Sequence, residues 1–144
     1  MRISFVYLIW VLVALLVLPS LAHACRCAGP VSPATAYHNA LAVVQGKILA
    51  VEGDINKEGV TARVRVLKAW KKKIKSEIEV STRTTCAYDF HVGEEYLIYL
   101  QQTADGGHYS TKKCAGNFKS AEAGNALKWL QRHGAPQEVD NECP

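Results

Sequence analysis

Hydrophobic and polar positions alternate along much of the middle of the chain, and this pattern predicts β-strands. Residues 40–52 are rich in Val, Ile and Leu, which predicts one long strand. Two later segments, 60–66 and 77–80, alternate between apolar and polar residues with the period of two that is typical of a half-buried strand. If these segments pair in antiparallel fashion, Arg63 and Arg65 are expected to face Glu77 and Glu79, and opposite charges at such positions stabilise the pair.

Glycines and a further apolar segment complete the predicted sheet. Gly46 interrupts the first strand and is expected to form a bend or bulge. Residues 95–101 predict another strand. Residues 108–112 are its expected hairpin partner, because Gly106-Gly107 favours a tight turn between them. The pattern therefore predicts about five strands.

Two segments with a different period predict helices on either side of the sheet. Ser32 and Pro33 suit the N-cap and first turn of a short helix that ends near Asn39. Ser120 is expected to cap a second helix, which Gly134 ends. The apolar face of this second helix consists of Ala123, Ala126, Leu127 and Leu130. The whole pattern predicts an all-β fold, a Greek-key barrel of the OB type with flanking helices. A β-sandwich is the second choice, because it usually has about seven strands.

The beginning of the chain has the pattern of a secretory signal peptide. Arg2 gives a positive start, an uncharged apolar run covers 5–18, and Ala22-His23-Ala24 places small residues before the predicted cleavage point. We therefore assign 1–24 to a signal peptide and 25–144 to one domain that is secreted, or periplasmic if the chain is bacterial. The formal net charge of +4 over 144 residues is mild, which argues against a nucleic-acid binder.

Two alternatives to simple cleavage stay open. In the first, the segment is an uncleaved anchor, although an apolar helix of this length spans only about 21 Å of a hydrocarbon core of about 30 Å. In the second, Cys25 is the acylated first residue of a lipoprotein, which would attach the protein to a membrane. Ala22 occupies the position where lipoprotein signals usually have Leu or a similar residue, so we prefer cleavage after Ala24 without acylation.

Cysteines define the candidate site. The chain has five, and disulfides are expected in an exported protein of this size. Cys25 and Cys27 are separated by one residue and cannot easily bridge each other, because the closed ring would be strained. Each needs a distant partner, for which Cys86 and Cys114 are available, and Cys143 is then left over. Two such bridges would fasten the mature N-terminus to the barrel at two points.

A clamped N-terminal residue can bind a metal that belongs to another protein. An unacylated α-amine has a reference pKa of about 7.7 to 8, so its neutral form is accessible near neutral pH. The amine and the carbonyl oxygen of one residue form a five-membered chelate with a metal ion. A catalytic zinc keeps one coordination position for the water that it activates. A chelate in that position would inhibit a zinc hydrolase.

Four sequence features follow one another in a recognisable order along the mature chain. Cys25-x-Cys27 begins it, and Pro-Ala-Thr-Ala-Tyr (33–37) precedes the long strand. Cys86-Ala87-Tyr88 comes before the acidic start of a strand (94–98), and Cys114 follows the next strand. In this combination, and over nearly the whole mature domain, the chain resembles the tissue inhibitors of metalloproteinases (TIMPs) and their netrin-like (NTR) relatives.

The resemblance implies an OB-fold with the disulfides Cys25–Cys86 and Cys27–Cys114. It also implies a protease-contact ridge that consists of Cys25, Arg26, Cys27, Ala28, Thr85, Cys86 and Ala87. In that family the N-terminal amine and carbonyl bind the zinc of the protease, and the second residue points into its specificity pocket. By this resemblance the protein is a secreted inhibitor of zinc metalloendopeptidases, with Cys25 as the chelating residue and with no catalytic residues or cofactor of its own.

Three departures from the family pattern bear on this function. Arg26 stands where a small hydroxyl residue is usual, and an apolar pocket would resist a guanidinium without a carboxylate partner, so the target protease is expected to differ. His38 stands where the family tends to have a cysteine, which leaves Cys143 unpaired. Cys143 would then be a free thiol, carry a small thiol, or link two chains of an otherwise monomeric protein. The second, cysteine-rich domain of animal members is not found in this sequence.

Other functions have weaker support in the sequence. The basic run within 68–75 fits a solvated loop better than a surface for acidic polysaccharides or membranes. The histidines have no metal-ligand spacing and no catalytic set is assembled, so neither a metal site nor an enzyme is expected. Export and the few aromatic residues near the basic run argue against nucleic acid. The remaining alternative is a netrin-like module that binds a protein or glycan without inhibiting a protease, as an envelope lipoprotein if Cys25 is acylated.

Overall fold

Residues 25–83, 86–103 and 108–140 are described by the computed structural model, and the expected signal peptide, Thr85, the Gly106-Gly107 turn and Cys143 lie outside them. The described part contains the helices α1 (Pro33–Asn39) and α2 (Gly124–His133), neither of which is long and apolar enough to cross a membrane. The strands are β1 (Ala42–Asp54), β2 (Gly59–Trp70), β3 (Ile74–Lys75), β4 (Glu77–Thr82), β5 (Glu95–Gln102), β6 (Tyr109–Ser110), β7 (Phe118–Lys119), β8 (Pro136–Gln137) and β9 (Val139–Asp140). A 3₁₀ turn covers Lys113–Ala115.

Five strands close into a barrel in the order β1, β2, β4, β6 and β5, and pairing between β5 and β1 completes the ring. All neighbours in the ring are antiparallel except β4 and β6, which are parallel. The short strands β7 and β8 pair with β5 and β2, and β3 and β9 form a separate parallel pair. This arrangement is OB-like, so the predicted fold class is confirmed, together with its short N-terminal helix and its C-terminal helix.

The β1–β2 hairpin agrees closely with the sequence pattern. The register of the two strands shifts at Gly46, which confirms the bulge predicted there. A Cβ atom at this position would lie 2.8 Å from the carbonyl oxygen of Arg65, so a residue without a side chain is required.

The pairing of β2 with β4 also agrees with the prediction: Arg63 faces Glu79, and Arg65 faces Glu77. Arg65 and Glu77 form an ion pair of 3.0 Å.

Two hydrophobic clusters stabilise the fold. One fills the barrel with alternate residues of β1, β2, β4 and β5, and the other lies between the barrel and the two helices. Strand β5 belongs to both clusters: Tyr96, Ile98 and Leu100 lie in the barrel cluster, whereas Leu97 and Tyr99 lie in the helix cluster. Because both of its faces are buried, β5 has a continuous apolar run rather than an alternating pattern.

Helix α1 matches the prediction at both ends, whereas α2 begins later than predicted. Ser32 caps α1 by accepting a hydrogen bond of 3.1 Å from a backbone N–H of the first turn. The prediction that Ser120 caps α2 is wrong, because the helix begins at Gly124 and is preceded by Ala123 without a side-chain cap. Ser120 donates its backbone N–H to the carbonyl oxygen of Glu95 at 2.8 Å, which holds it against β5 in the turn after β7.

The hairpin partner of β5 is shorter than the predicted segment 108–112. Tyr109–Ser110 forms β6, which pairs with β5 on one side and with β4 on the other. After the strand, the buried side chain of Asn117 donates to the carbonyl oxygen of Lys112 at 3.1 Å, directly before the 3₁₀ turn. The short strand thus delivers the chain to the turn that contains Cys114.

The basic run is a solvated loop only in part. Lys72, Lys73 and Lys75 are exposed, and Lys73 forms an ion pair of 3.2 Å with Asp140 near the C-terminal end of the described chain. Lys71 behaves differently, because its side chain folds back onto the last carbonyl groups of α1. The prediction of a fully solvated loop is therefore wrong for Lys71, because its ammonium group is bound by carbonyl oxygens at the end of α1.

Candidate functional site

Two disulfides fasten the segment that begins at Cys25 to two different loops. Cys25 is bonded to Cys86, between β4 and β5, and Cys27 is bonded to Cys114, in the 3₁₀ turn after β6. These are the pairings that the family resemblance implies. The bonded cysteines are 61 and 87 residues apart, so each bond closes a long loop. Each is expected to stabilise the fold by about 4 kcal/mol by reducing the entropy of the unfolded chain.

The two loops that carry these partners are joined to each other. The backbone N–H of Lys113 donates to the carbonyl oxygen of Cys86 at 2.8 Å. The sulfur of Cys25 lies 3.8 Å from the sulfur of Cys114, so one disulfide is in van der Waals contact with the other. The four cysteines therefore form one cluster, to which the segment 25–28 is attached.

A buried asparagine fixes the turn that contains Cys114. Oδ1 of Asn117 accepts a hydrogen bond of 2.9 Å from the backbone N–H of Tyr99. Its Nδ2 donates to Oγ1 of Thr111 at 2.9 Å and to the carbonyl oxygen of Lys112 at 3.1 Å. The hydroxyl of Thr111 donates to the carbonyl oxygen of Tyr99 at 2.9 Å. Because Asn117 is only 7% exposed, these bonds are shielded from water and tie the turn to the central strand β5.

A second network fixes the loop that leads from Cys86 to β5. Tyr96 donates its hydroxyl to Oε2 of Glu94 at 2.7 Å and accepts the backbone N–H of His91 at 3.2 Å. Lys119 on β7 forms an ion pair of 2.8 Å with the same carboxylate. The hydrogen bonds from Lys119 and Tyr96 lower the pKa of Glu94, and the bond to Glu94 raises the pKa of Lys119. Burial, followed by the bond to Glu94, raises the pKa of Tyr96, so its hydroxyl remains a donor.

Helix α1 follows the clamped segment, and Lys71 holds its C-terminal end. Nζ of Lys71 donates to the carbonyl oxygens of Tyr37 at 2.8 Å and His38 at 3.1 Å, and also to that of Ala40. The ammonium lies 5.2 Å from the centre of the Tyr37 ring. Lys71 makes these contacts with φ = 77°, a left-handed conformation that residues other than glycine rarely adopt. A cation at this end of a helix neutralises its free carbonyl groups, so Lys71 anchors α1 to the turn directly after β2.

The structure brings together the described residues of the expected ridge. Arg26, Cys27 and Ala28 are exposed, and Cys25, Cys86 and Ala87 are half-buried. The Cys25–Cys86 bond joins the two parts of this ridge, which in the described chain are 25–28 and 86–87. Arg26 forms no ion pair with any residue of the described part. Its guanidinium is therefore available to a partner molecule.

A groove of about 730 Å³ has Cys86 in its wall, together with residues of β2, β4, β5 and β6. Arg83 and Lys112 lie in its wall together with Cys86. Lys113 is exposed immediately before the second loop cysteine, and Arg26 is exposed between the two N-terminal ones. Basic residues are therefore sequence neighbours of Cys27 and Cys114, and two more line the groove together with Cys86.

Within 25–83, 86–103 and 108–140, no group of three or more His, Cys, Asp or Glu side chains is arranged to hold a metal ion. His38 is exposed at the end of α1, at the position where the resembled family tends to have a cysteine. A comparison with models of known protein families finds no match to the chain, and a comparison with curated proteins finds none either. The function is therefore inferred from the site itself.

Two residues that fix the site were missed by the sequence analysis. Asn117 follows a glycine in a segment that resembles an ordinary polar turn, and the signal for its role is its burial, which the sequence does not display. Lys71 is the first of three consecutive lysines and has nothing in its residue type to distinguish it from the other two. Only the tertiary structure brings Lys71, and not the other two lysines, to the end of α1.

Proposed function

We propose that the protein inhibits zinc metalloendopeptidases by placing the α-amine and the carbonyl oxygen of Cys25 on the catalytic zinc of the target. The proposal requires cleavage after Ala24, which makes Cys25 the first residue of a secreted protein. The observation that supports it most is the double attachment of Cys25 and Cys27 to one cluster of four cysteines. The metal belongs to the partner, so the inhibitor needs no cofactor of its own.

Rigidity is the reason why this attachment favours chelation. Ordering a flexible residue costs about 1–2 kcal/mol in backbone entropy, and an unattached N-terminus would lose several residues' freedom on binding. In this protein Cys25 and Cys27 are held covalently, and the loops that hold them are fixed by the Lys113–Cys86 hydrogen bond and by Asn117. Most of the ordering therefore takes place when the protein folds, which leaves more of the binding energy for affinity.

Arg26 determines which targets this geometry suits. Its side chain is exposed directly beside Cys25, so it would enter the target next to the zinc. A guanidinium in a protein pocket is stabilised when a carboxylate pairs with it, and it is destabilised in an apolar one. The expected target is a zinc endopeptidase with an acidic pocket beside its metal. Substituting Arg26→Thr is expected to weaken inhibition of such an enzyme and to improve inhibition of one with an apolar pocket.

Adding one alanine before Cys25 tests the chelation directly. The added residue converts the amine of Cys25 into an amide, which is a poor metal ligand, and shifts the new amine away from its carbonyl partner. We expect inhibition to fall by at least about 100-fold, the loss of roughly 3 kcal/mol. The matched control carries one added alanine at the C-terminus, and disulfide mapping of both variants checks that the fold is intact. Undiminished inhibition by the N-terminal variant contradicts the proposal.

The pH dependence of inhibition gives an independent test. A protonated amine has no lone pair for the metal, and its reference pKa is about 7.7 to 8. Below that range the inhibition constant should therefore rise about tenfold for each pH unit. A small zinc-binding inhibitor without an amine, measured on the same protease, corrects for titration of the enzyme. An inhibition constant that does not change with pH after this correction contradicts chelation by the amine.

A second candidate function is a netrin-like module that binds a protein or glycan without inhibiting a protease. The groove that has Cys86 in its wall is the observation that favours it. Mass spectrometry of the mature N-terminus distinguishes the two functions. A free amine on Cys25 supports the inhibitor, whereas a lipidated Cys25 supports an envelope-attached binding module. Lipidation blocks the amine that chelation requires, and it occupies the sulfur that otherwise bonds to Cys86.

A further inference from the structure

The contact between the two disulfides has a chemical consequence. In thiol–disulfide exchange a thiolate attacks one sulfur of a disulfide and expels the other. The sulfur of Cys114 already lies 3.8 Å from the sulfur of Cys25, which belongs to the other disulfide. A thiolate formed on Cys114 would therefore have a disulfide sulfur within contact distance and would not need to diffuse to reach it.

Exposure determines where an external thiol enters this cluster. Cys27 is exposed, whereas Cys25, Cys86 and Cys114 are half-buried. Because Cys27 is the most exposed residue of the four, we expect an incoming thiolate to attack its sulfur first. Attack at that sulfur breaks the Cys27–Cys114 bond and leaves the negative charge on Cys114, the cysteine in contact with Cys25.

We propose that the two disulfides form an exchange pair and that Cys27 is a site of modification by an anionic peptide thiol. In the first step the peptide thiolate forms a mixed disulfide with Cys27 and expels the Cys114 thiolate. In the second step this thiolate attacks the sulfur of Cys25, which forms a Cys25–Cys114 bond and expels the Cys86 thiolate. Solvent then protonates Cys86. Two disulfides and one thiol enter the reaction and the same number leave it, so no external oxidant or reductant is consumed.

The charges near the cluster suit this reaction. Among the charged residues that line the groove containing Cys86, Arg83 and Lys112 are basic and Glu79 is acidic, so the basic ones outnumber it. Lys113 directly precedes Cys114, and Arg26 directly precedes Cys27. Positive charge stabilises a thiolate leaving group and raises the local concentration of an anionic reagent. A peptide thiol with free carboxylates is therefore favoured over a neutral or cationic one.

The exchange would regulate the proposed inhibitory site. It moves the attachment of Cys25 from the loop after β4 to the turn after β6, while Cys27 is released from the barrel and carries the peptide. The N-terminal amine would then lie in a different place, and inhibition would be lost although strand pairing still closes the barrel and one internal disulfide still attaches the N-terminal segment. This consequence rests on the proposed function, whereas the exchange itself does not.

Disulfide mapping after treatment with reduced glutathione tests the exchange. The experiment uses the folded mature protein with Cys143→Ser, so that the fifth cysteine takes no part. After acid quenching and alkylation, we expect glutathione on Cys27, a Cys25–Cys114 linkage and an alkylated Cys86. Glutathione on Cys27 with an alkylated Cys114 and an intact Cys25–Cys86 bond overturns the relay. No modification of Cys27, or earlier modification of Cys86, overturns the proposed entry site.

A matched variant separates the two steps. With Cys25→Ser and Cys86→Ser added, the second disulfide is missing, and glutathione on Cys27 should leave Cys114 as the alkylated thiol. Mapping requires no protease, so the exchange can fail while inhibition stands, and inhibition can fail while the exchange stands. Inhibition is then measured on the mapped products, and a glutathione-modified product that inhibits as well as the untreated protein overturns the regulatory consequence.

The role of the basic side chains has its own test. Glutathione and its diethyl ester carry the same thiol but differ in the charge of their carboxyl groups. At low ionic strength we expect glutathione to modify Cys27 roughly tenfold faster than the ester. The difference between the two rates should shrink in about 0.5 M salt, because the salt screens the charges. Equal rates at low ionic strength overturn the preference for an anionic thiol.

Discussion

Replacing Asn117 by alanine tests whether one buried amide holds the cysteine-bearing turn in place. The substitution removes the acceptor of the Tyr99 N–H and the donors to Thr111 and Lys112, bonds of 2.9 to 3.1 Å. The Tyr99 N–H then remains buried without a partner, which costs about 1–3 kcal/mol, and the other two bonds add about 1 kcal/mol. We expect the free energy of unfolding to fall by about 3 kcal/mol and the thermal midpoint to fall by about 10 °C.

Urea denaturation with both disulfides intact measures this loss, with far-ultraviolet circular dichroism as the signal. Asn125→Ala is the matched control, because Asn125 is exposed on α2 and its replacement should change the free energy of unfolding by less than about 0.5 kcal/mol. Hydrogen exchange gives a local readout, since the Tyr99 N–H should exchange faster in Asn117→Ala. If Asn117→Ala and Asn125→Ala are equally stable, the buried amide does not support the turn and our reasoning about the site is refuted.

Two further predictions concern the other fixed elements. Lys71→Met keeps the apolar stem but removes the ammonium from the end of α1, so it should destabilise the protein by about 1–2 kcal/mol. The matched control Lys72→Met changes an exposed neighbour and should be nearly neutral. Equal stability of the two variants in thermal unfolding contradicts the role of Lys71 in holding α1. The pKa of Glu94 is lowered from 4.5 and that of Lys119 is raised from 10.5, so the ion pair stabilises the fold fully between these pH values. This stabilisation is lost as the pH falls through the pKa of Glu94 in the folded protein. It is also lost as the pH rises through the pKa of Lys119 in the folded protein. The stability difference between wild type and Glu94→Gln should therefore be clear at neutral pH and vanish in acid, and a difference that persists unchanged in acid contradicts the pairing.

The parts of the fold that were predictable are those in which a local pattern and the tertiary structure agree. The bulge at Gly46 and the facing Arg and Glu residues of β2 and β4 follow from period-two alternation, and α1 follows from Ser32 and Pro33 at its start. Ser120 was misassigned because its residue type suits an N-cap equally well at several positions. Its backbone N–H is already bonded to β5, so the turn continues to Ala123 before the helix can begin.

The candidate site was predictable to a different degree. Four cysteines with the right spacing identify the segment that is clamped, and the family resemblance implied which cysteine binds which. The side chains that hold the partner loops had no sequence signal, because a polar residue in a turn looks alike whether it is buried or solvated. Asn117 and Lys71 acquire their roles from β5 and α1, which lie far from them along the chain. A single sequence carries no record of such long-range contacts.

The two kinds of constraint on the clamped segment are not interchangeable. A disulfide stabilises a fold mainly by restricting the unfolded chain, and it leaves the position of a bonded residue as mobile as the loop at its other end. A metal ligand has to be held within about 0.5 Å of its working position. The precision of Cys25 must therefore come from the loops of Cys86 and Cys114, that is, from the Lys113–Cys86 hydrogen bond and the buried amide of Asn117. A substitution that removes the hydrogen bonds of Asn117 should therefore weaken chelation by Cys25 even when both disulfides are intact. If the disulfides alone held Cys25 in place, the same substitution would leave chelation unchanged.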